Sequence, residues 1–134
     1  MEQRALQDQA EKARIEAAAV QHVIQRYTKR GFAVRSREPD NVGWDLEASD
    51  AVDTLCLEVK GSKLETCSPV LTPNEYAAAR SHRGRYRVCI VTLALDKPKL
   101  SEIRWLPSEQ EWVDGDNRIW NIDERTAARF SPAD

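Results

Sequence analysis

What this sequence lacks narrows its chemistry before any motif is read. It has only two histidines, His22 and His82, and three widely spaced cysteines, Cys56, Cys67 and Cys89, with no C-x-x-C pair. That inventory argues against a zinc site. The chain has no G-x-S-x-G, no P-loop and no G-x-G-x-x-G, so serine-hydrolase and nucleotide-binding readings find no support. Neither histidine lies near a nucleophile motif, which leaves acyl transfer without an obvious base. No apolar run approaches the ~20 residues needed to span a bilayer. The opening "MEQRALQDQAEKAR" mixes acids and bases, unlike a secretory signal. With Cys56 and Cys89 inside strand-like runs as small packing residues, the expectation is a reducing, cytoplasmic setting with no membrane contact.

The 134 residues suit one domain with one core. The net charge of −2 rules out a polycation as a whole, but the charges are segregated. Residues 26–37, "RYTKRGFAVRSR", hold five basic side chains and no acid, and residues 80–87, "RSHRGRYR", hold four arginines and no acid. Between them, residues 38–53 hold six acids and no base. Basic patches flanking a carboxylate cluster suit a polyanion held around a metal ion. Solvated loops on a mixed surface give the same pattern.

Residues 2–30 read as one long helix, with Leu6, Ala13, Val20, Val23, Ile24 and Tyr27 as its apolar stripe and Gly31 as its stop. A core over 31–95 follows. "FAVRSR", "WDLEAS" and "TLCLEVK" read as an antiparallel meander turned at "PDNVG" and "DAVD". "LTPNEYAAARSH" reads as a helix with Thr72 as N-cap, Pro73 at N1 and Glu75 completing a capping box. "YRVCIVTLAL" is apolar without alternation, the mark of a central strand buried on both faces. Further strands are expected within 101–124, with "DGDN" as a turn and "RIWNID" as an edge strand. Trp105, Trp112 and Trp120 are assigned to the core. Residues 131–134, "SPAD", are expected to be disordered. The order α-β-β-β-α-β-β over a single domain, 1–130, predicts an α/β sandwich around a small mixed sheet flanked by helices.

Strand alternation carries the chemistry. In Thr54–Lys60, Leu55, Leu57 and Val59 point to one face, and Cys56, Glu58 and Lys60 to the other. A hairpin turning at 50–53 brings Asp45 opposite 58–60. Two carboxylates and an ammonium then converge at one end of the sheet. Asp45 and Glu58, with the backbone carbonyl of Val59, could ligate Mg²⁺. Lys60 could position an attacking water or offset developing negative charge. E-x-K alone is equally the pattern of a half-exposed strand with an ion pair.

These stretches resemble the D…(D/E)-x-K core of the PD-(D/E)XK nuclease superfamily. "IEAAAVQHVIQRYTKRGFAVRSREPDNVGWDLEAS", "LEVKGSK", "LTPNEYAAAR" and "YRVCIVTL" resemble, more closely, the domain at the C-terminus of the plant NO VEIN protein and of many bacterial restriction and defence proteins. The resemblance runs from about Ile15 to Leu95. It implies a restriction-endonuclease-like fold, with Asp45, Glu58 and Lys60 in catalytic positions and Glu16 beside them as an extra metal or water ligand. Thr72, Asn74 and Glu75 also match the family pattern, at a helix N-terminus suited to phosphate, with Thr72 and Glu75 explained as a capping box. Lys63, Arg80, Arg83 and Arg85 complete the expected nucleic-acid contacts.

The expected function is therefore a Mg²⁺- or Mn²⁺-dependent nuclease acting on DNA in defence, restriction or repair. The alternative is a non-catalytic nucleic-acid-binding or docking module of a larger machine. Expected partners are nucleic acid and either a second copy of the chain or an ATPase- or helicase-containing assembly.

Overall fold

The first helix, α1, spans Glu2–Lys29 in the computed structural model, which describes residues 2–124 and 131–133. It ends as the sequence indicates. Gly31 takes φ +94°, its N–H donates to Thr28 C=O, and Phe32 N–H donates to Tyr27 C=O. This is a Schellman stop, and the Tyr27 and Phe32 rings, 5.4 Å apart edge to face, supply its apolar contact. The buried stripe is displaced from the expected one. Ala19, Val23 and Tyr27 are buried with Ile15 packed alongside, whereas Leu6 is 66% exposed and Ala13 is exposed. The reason is length. Twenty-eight residues extend about 42 Å, while the longest strands, of eight residues, cover about 27 Å. The N-terminal turns of α1 therefore outrun the sheet.

Seven strands form one sheet in chain order. They are β1 (Ala33–Ser36), β2 (Leu46–Ser49), β3 (Thr54–Gly61), β4 (Tyr86–Thr92), β5 (Lys99–Leu106), β6 (Glu111–Val113) and β7 (Ile119–Trp120). The second helix, α2 (Pro73–Ser81), joins β3 to the parallel strand β4, and every other pairing is antiparallel. The expected meander and central strand are present. The expected order counts too few strands: β7 falls within the expected edge strand "RIWNID", whereas the three-residue β6 is too short to show alternation. The central strand also stops at Thr92 rather than Leu95, since Leu93 turns to φ +50° and Ala94 N–H donates to Ser62 C=O. Residues 125–130 of the expected domain and Asp134 of the expected tail lie outside the described residues, while 131–133 carry no regular structure.

The sheet buries both faces, one per helix, as an α/β sandwich. Leu46, Ala48, Leu57, Cys89 and Val91 pack with α1, and Cys56, Tyr86, Val88, Ile90 and Ile103 pack with α2. Trp112 is buried in the second cluster, and Trp105 and Trp120 pack against it. The tryptophans are core-facing, as expected, and Cys56 and Cys89 are buried free thiols.

Two glycines set how closely the helices approach. A Cβ on Gly61 would stand 2.8 Å from Ala19 Cβ, so β3 meets α1 through hydrogen alone. Gly43, at φ +98°, would place a Cβ 2.6 Å from Ala78 Cβ and 3.0 Å from Asn74 O, so it admits α2. Gly43→Ala combines a left-handed backbone with overpacking and is expected to destabilise the chain by about 2 kcal/mol or more. Gly84 has nothing within 4 Å, and Gly84→Ala should stay within about 0.5 kcal/mol of the parent. Urea midpoints of the two variants check this; similar losses in both would contradict the packing account.

Candidate functional site

The end of β2 creates the site. Leu46 pairs with Leu57, which places Asp45 beside Glu58, as the hairpin reading requires. Backbone bonds grip Asp45 on both sides: its N–H donates to Leu57 C=O at 2.9 Å, and its C=O accepts from Arg37 N–H at 2.8 Å. Beyond it the chain leaves the sheet, and its side chain replaces the missing ladder: Val59 N–H donates to Asp45 Oδ2 at 2.9 Å. The N–H and C=O of one strand residue point to the same side. The Val59 carbonyl therefore faces the same open edge.

Around this edge lies a cavity of about 530 Å³, lined by Asp45, Glu58, Val59, Lys60, Glu75 and Glu16 among others. Glu58 is 2% exposed. Its burial, with Asp45 and Glu75 nearby, pushes its carboxyl up to about 9. Burial likewise raises Asp45, against the pull of the Val59 N–H. Lys60 Nζ lies 3.4 Å from Glu58 Oε2 and 2.9 Å from Glu75 Oε1. Burial works against the Lys60 charge, but the Glu75 hydrogen bond and Glu58 prevail and its pKa rises. Glu75 moves the other way. Burial opposes its charge, yet the Thr72 N–H bond and Lys60 hold its carboxyl below the usual range.

Glu75 is the site residue that sequence reading missed as a chemical group. The capping box is real: Thr72 Oγ1 accepts from Glu75 N–H, and Glu75 Oε1 accepts from Thr72 N–H. The capping role suffices to explain the residue, although it also matches the family pattern, so its second bond, to Lys60, was not anticipated. Glu38 also lines the cavity without having been anticipated. Glu16 reaches it from α1, exposed, so the structure brings it to the same cavity as the strand residues.

The expected basic contacts separate. Arg30 pairs with Glu102, and Arg35 and Arg37 both pair with Glu47, so the first basic run is largely neutralised by the fold. Lys63 pairs with Glu11 on α1 at 2.7 Å. Asn74 donates its amide to Asn41 C=O at 3.3 Å, holding the loop before Gly43. Arg85 sits in the turn before β4 with His82 Nδ1 at 3.2 Å from its Nη2. Arg80 and Arg83 line a different cavity, away from the carboxylates. Among the described residues, no three His, Cys, Asp or Glu side chains are gathered as a metal-holding group.

The sequence model of the family described as "Protein NO VEIN, C-terminal" matches residues 15–103. The chain belongs to that family, and the matched stretch contains every residue of the carboxylate cavity from Ile15 onward. No curated protein and no solved structure matches the chain. No helix among the described residues is long and apolar enough to cross a membrane.

Glu58 supplies a pH test. The folded chain holds its proton more tightly than the unfolded chain does. Its contribution to stability is therefore full below the ordinary value of 4.5 and is lost as pH rises through about 9. Glu58→Gln keeps a neutral side chain at every pH. The variant should match the parent near about pH 4 and exceed it by roughly 2 kcal/mol or more near about pH 9. Urea unfolding across that range measures it, and a difference independent of pH would contradict the assignment.

Proposed function

We propose that the chain is a divalent-metal-dependent nuclease hydrolysing phosphodiester bonds, with DNA as the expected substrate. The observation that carries this reading is the pairing of Asp45 and buried Glu58 on one cavity wall, with Lys60 held beside them. Two carboxylates this close, one retaining its proton to about 9, form an electrostatic arrangement that a cation relieves.

The donor set fits a hard cation. It offers two carboxylates and the edge-facing Val59 carbonyl, and Mg²⁺ ordinarily takes one or two protein carboxylates and fills its shell with water and phosphate oxygens. Mn²⁺ suits the same oxygen donors. When bound, such an ion lowers the pKa of a coordinated water and offsets charge on the phosphate.

The chain's own groups do the rest. Glu58 would hold the ion as its carboxylate, which requires loss of the proton that burial now favours. Asp45 is already fixed by Val59 N–H and cannot swing away. Lys60, tethered by Glu75, presents one ammonium toward the cavity, where it can orient a water or stabilise negative charge on the reacting phosphate. Glu16, which lines the same cavity from α1, would serve as an extra metal or water ligand. A restriction, defence or repair setting follows from the sequence resemblance alone, and the family match adds the domain's identity over residues 15–103.

The docking-module alternative is favoured by a specific observation. Lys60 is already satisfied by two carboxylates, as a purely structural lysine would be.

Cleavage separates the two readings. Purified chain with Mg²⁺ or Mn²⁺ should cleave at least one of linear duplex, supercoiled duplex, single-stranded DNA or RNA. Asp45→Ala and Lys60→Ala should each lower the rate by about 100-fold or more. Cleavage persisting in both variants, or none on any substrate, would sink the nuclease reading. Glu75→Gln refines the test. Glutamine keeps the capping box but loses the charge beside Lys60, so the variant should fold normally and lose activity at lower pH on the alkaline limb. An unchanged pH profile would leave Glu75 with its capping role alone.

A further inference from the structure

A second cavity, of about 300 Å³, lies between α2 and the C-terminal strands and shares no lining residue with the first. Its walls include Tyr76, Arg80, Arg83, Trp105, Trp120 and one carboxylate, Glu111. That volume is at the lower end of the range for small-ligand sites. Tyr76 and Arg80 lie one helical turn apart and so share a face of α2. Arg83 follows in the turn after the helix.

Both guanidiniums are stacked on aromatic rings, although Glu124 accepts from the Tyr76 hydroxyl and Glu111 lines the same wall. Arg80 Cζ is 4.7 Å from the Tyr76 ring centroid, and Arg83 Cζ is 4.6 Å from the Trp105 centroid. Among the described residues neither forms a salt bridge, in contrast to Arg30, Arg35 and Arg37. Stacking orders a guanidinium while leaving its N–H edge available.

The aromatic walls are equally fixed. Trp105 packs edge to face on Trp112 at 5.5 Å. Trp120 donates its indole N–H to Asp114 Oδ2 at 3.1 Å, and Asp114 Oδ1 is in turn held by Asp116 and Arg118 N–H groups. Trp105 and Trp120 are both half-buried, so part of each remains accessible.

Flat aromatic surfaces beside two charged N–H edges and the Asn121 amide select a particular ligand chemistry. The two arginines on the wall outnumber the lining carboxylate Glu111, so a cation is disfavoured. An apolar ligand would strip water from their charges without replacing it. A planar ring carrying a negative group satisfies both walls.

We propose that this cavity binds an unpaired nucleobase of single-stranded nucleic acid, with the base on Trp120 and its phosphate on Arg80 and Arg83. The choice of nucleic acid rests on the function proposed above, whereas the site itself requires no cleavage. Glu75 in the first cavity and Tyr76 in the second are adjacent in sequence, so α2 stands between the two as a shared wall.

The test is binding without metal, read by fluorescence anisotropy of a labelled single-stranded DNA oligonucleotide and of an abasic strand of equal length. The intact strand should bind about tenfold more tightly. Trp120→Ala should erase that preference and Trp120→Phe should retain it. Arg83→Gln should weaken both strands and reduce the salt slope by about one. Equal affinity for the two strands would overturn the proposal, even if the chain proves to be a nuclease. So would a preference surviving Trp120→Ala, or displacement of the strand by an acidic tyrosine-rich peptide but not by deoxyadenosine monophosphate. Absence of cleavage leaves the binding result intact, which keeps the two failures distinct.

Discussion

The hydrogen bond from Val59 N–H to Asp45 Oδ2 governs the candidate site. A strand that ends beside a longer neighbour leaves backbone groups unpaired, and an unpaired buried N–H is costly. Asp45 solves that problem with a side chain. In doing so it brings a carboxylate against Glu58, leaves the Val59 carbonyl facing an open edge, and opens the cavity that α1 and α2 close. The chemistry of the site follows from a repair to the sheet.

Gly43 makes the same geometry possible from the other side. It brings the chain out of the loop at positive φ and lets α2 approach within contact of Ala78. The Tyr86 hydroxyl donates to Gly43 C=O at 2.9 Å, and Trp44 packs on His82 at the end of α2. The indole N–H of Trp44 also donates to Glu47 Oε1. Each residue of Gly43-Trp44-Asp45 thus ties β2 to a different neighbour. Close approach then carries Glu75 to Lys60, and one carboxylate both caps the helix and holds the amine.

The strand residues of the site were legible because strand geometry is strict. Alternation put Glu58 with Lys60, and the hairpin register put Asp45 opposite them. Three other features were not legible. The Glu75–Lys60 contact is tertiary, and a local motif already explained the glutamate. The neutralisation of Arg35 and Arg37 depends on Glu47, which strand pairing brings across the sheet face. The separation of Arg80 and Arg83 from the carboxylates depends on which side of α2 they occupy, information that a run of basic letters does not carry. The fold class was readable from the alternation of elements, but the three-residue β6 gives no period to detect.

Strand order equal to chain order has a consequence for how the molecule assembles. Five of the six neighbour pairings are antiparallel and join consecutive strands, while β3 and β4 meet in parallel across α2. Local pairings form fast, and pairings that close a long loop form slowly. The chain therefore divides into two early units, one before α2 and one after it, joined by a single late docking step. Asp45, Glu58 and Lys60 all belong to the first unit, whereas Glu75 rides on the connector. The lysine gains its tether only when α2 folds back on β3, so the ionic order of the site depends on the connector and not on the strands alone.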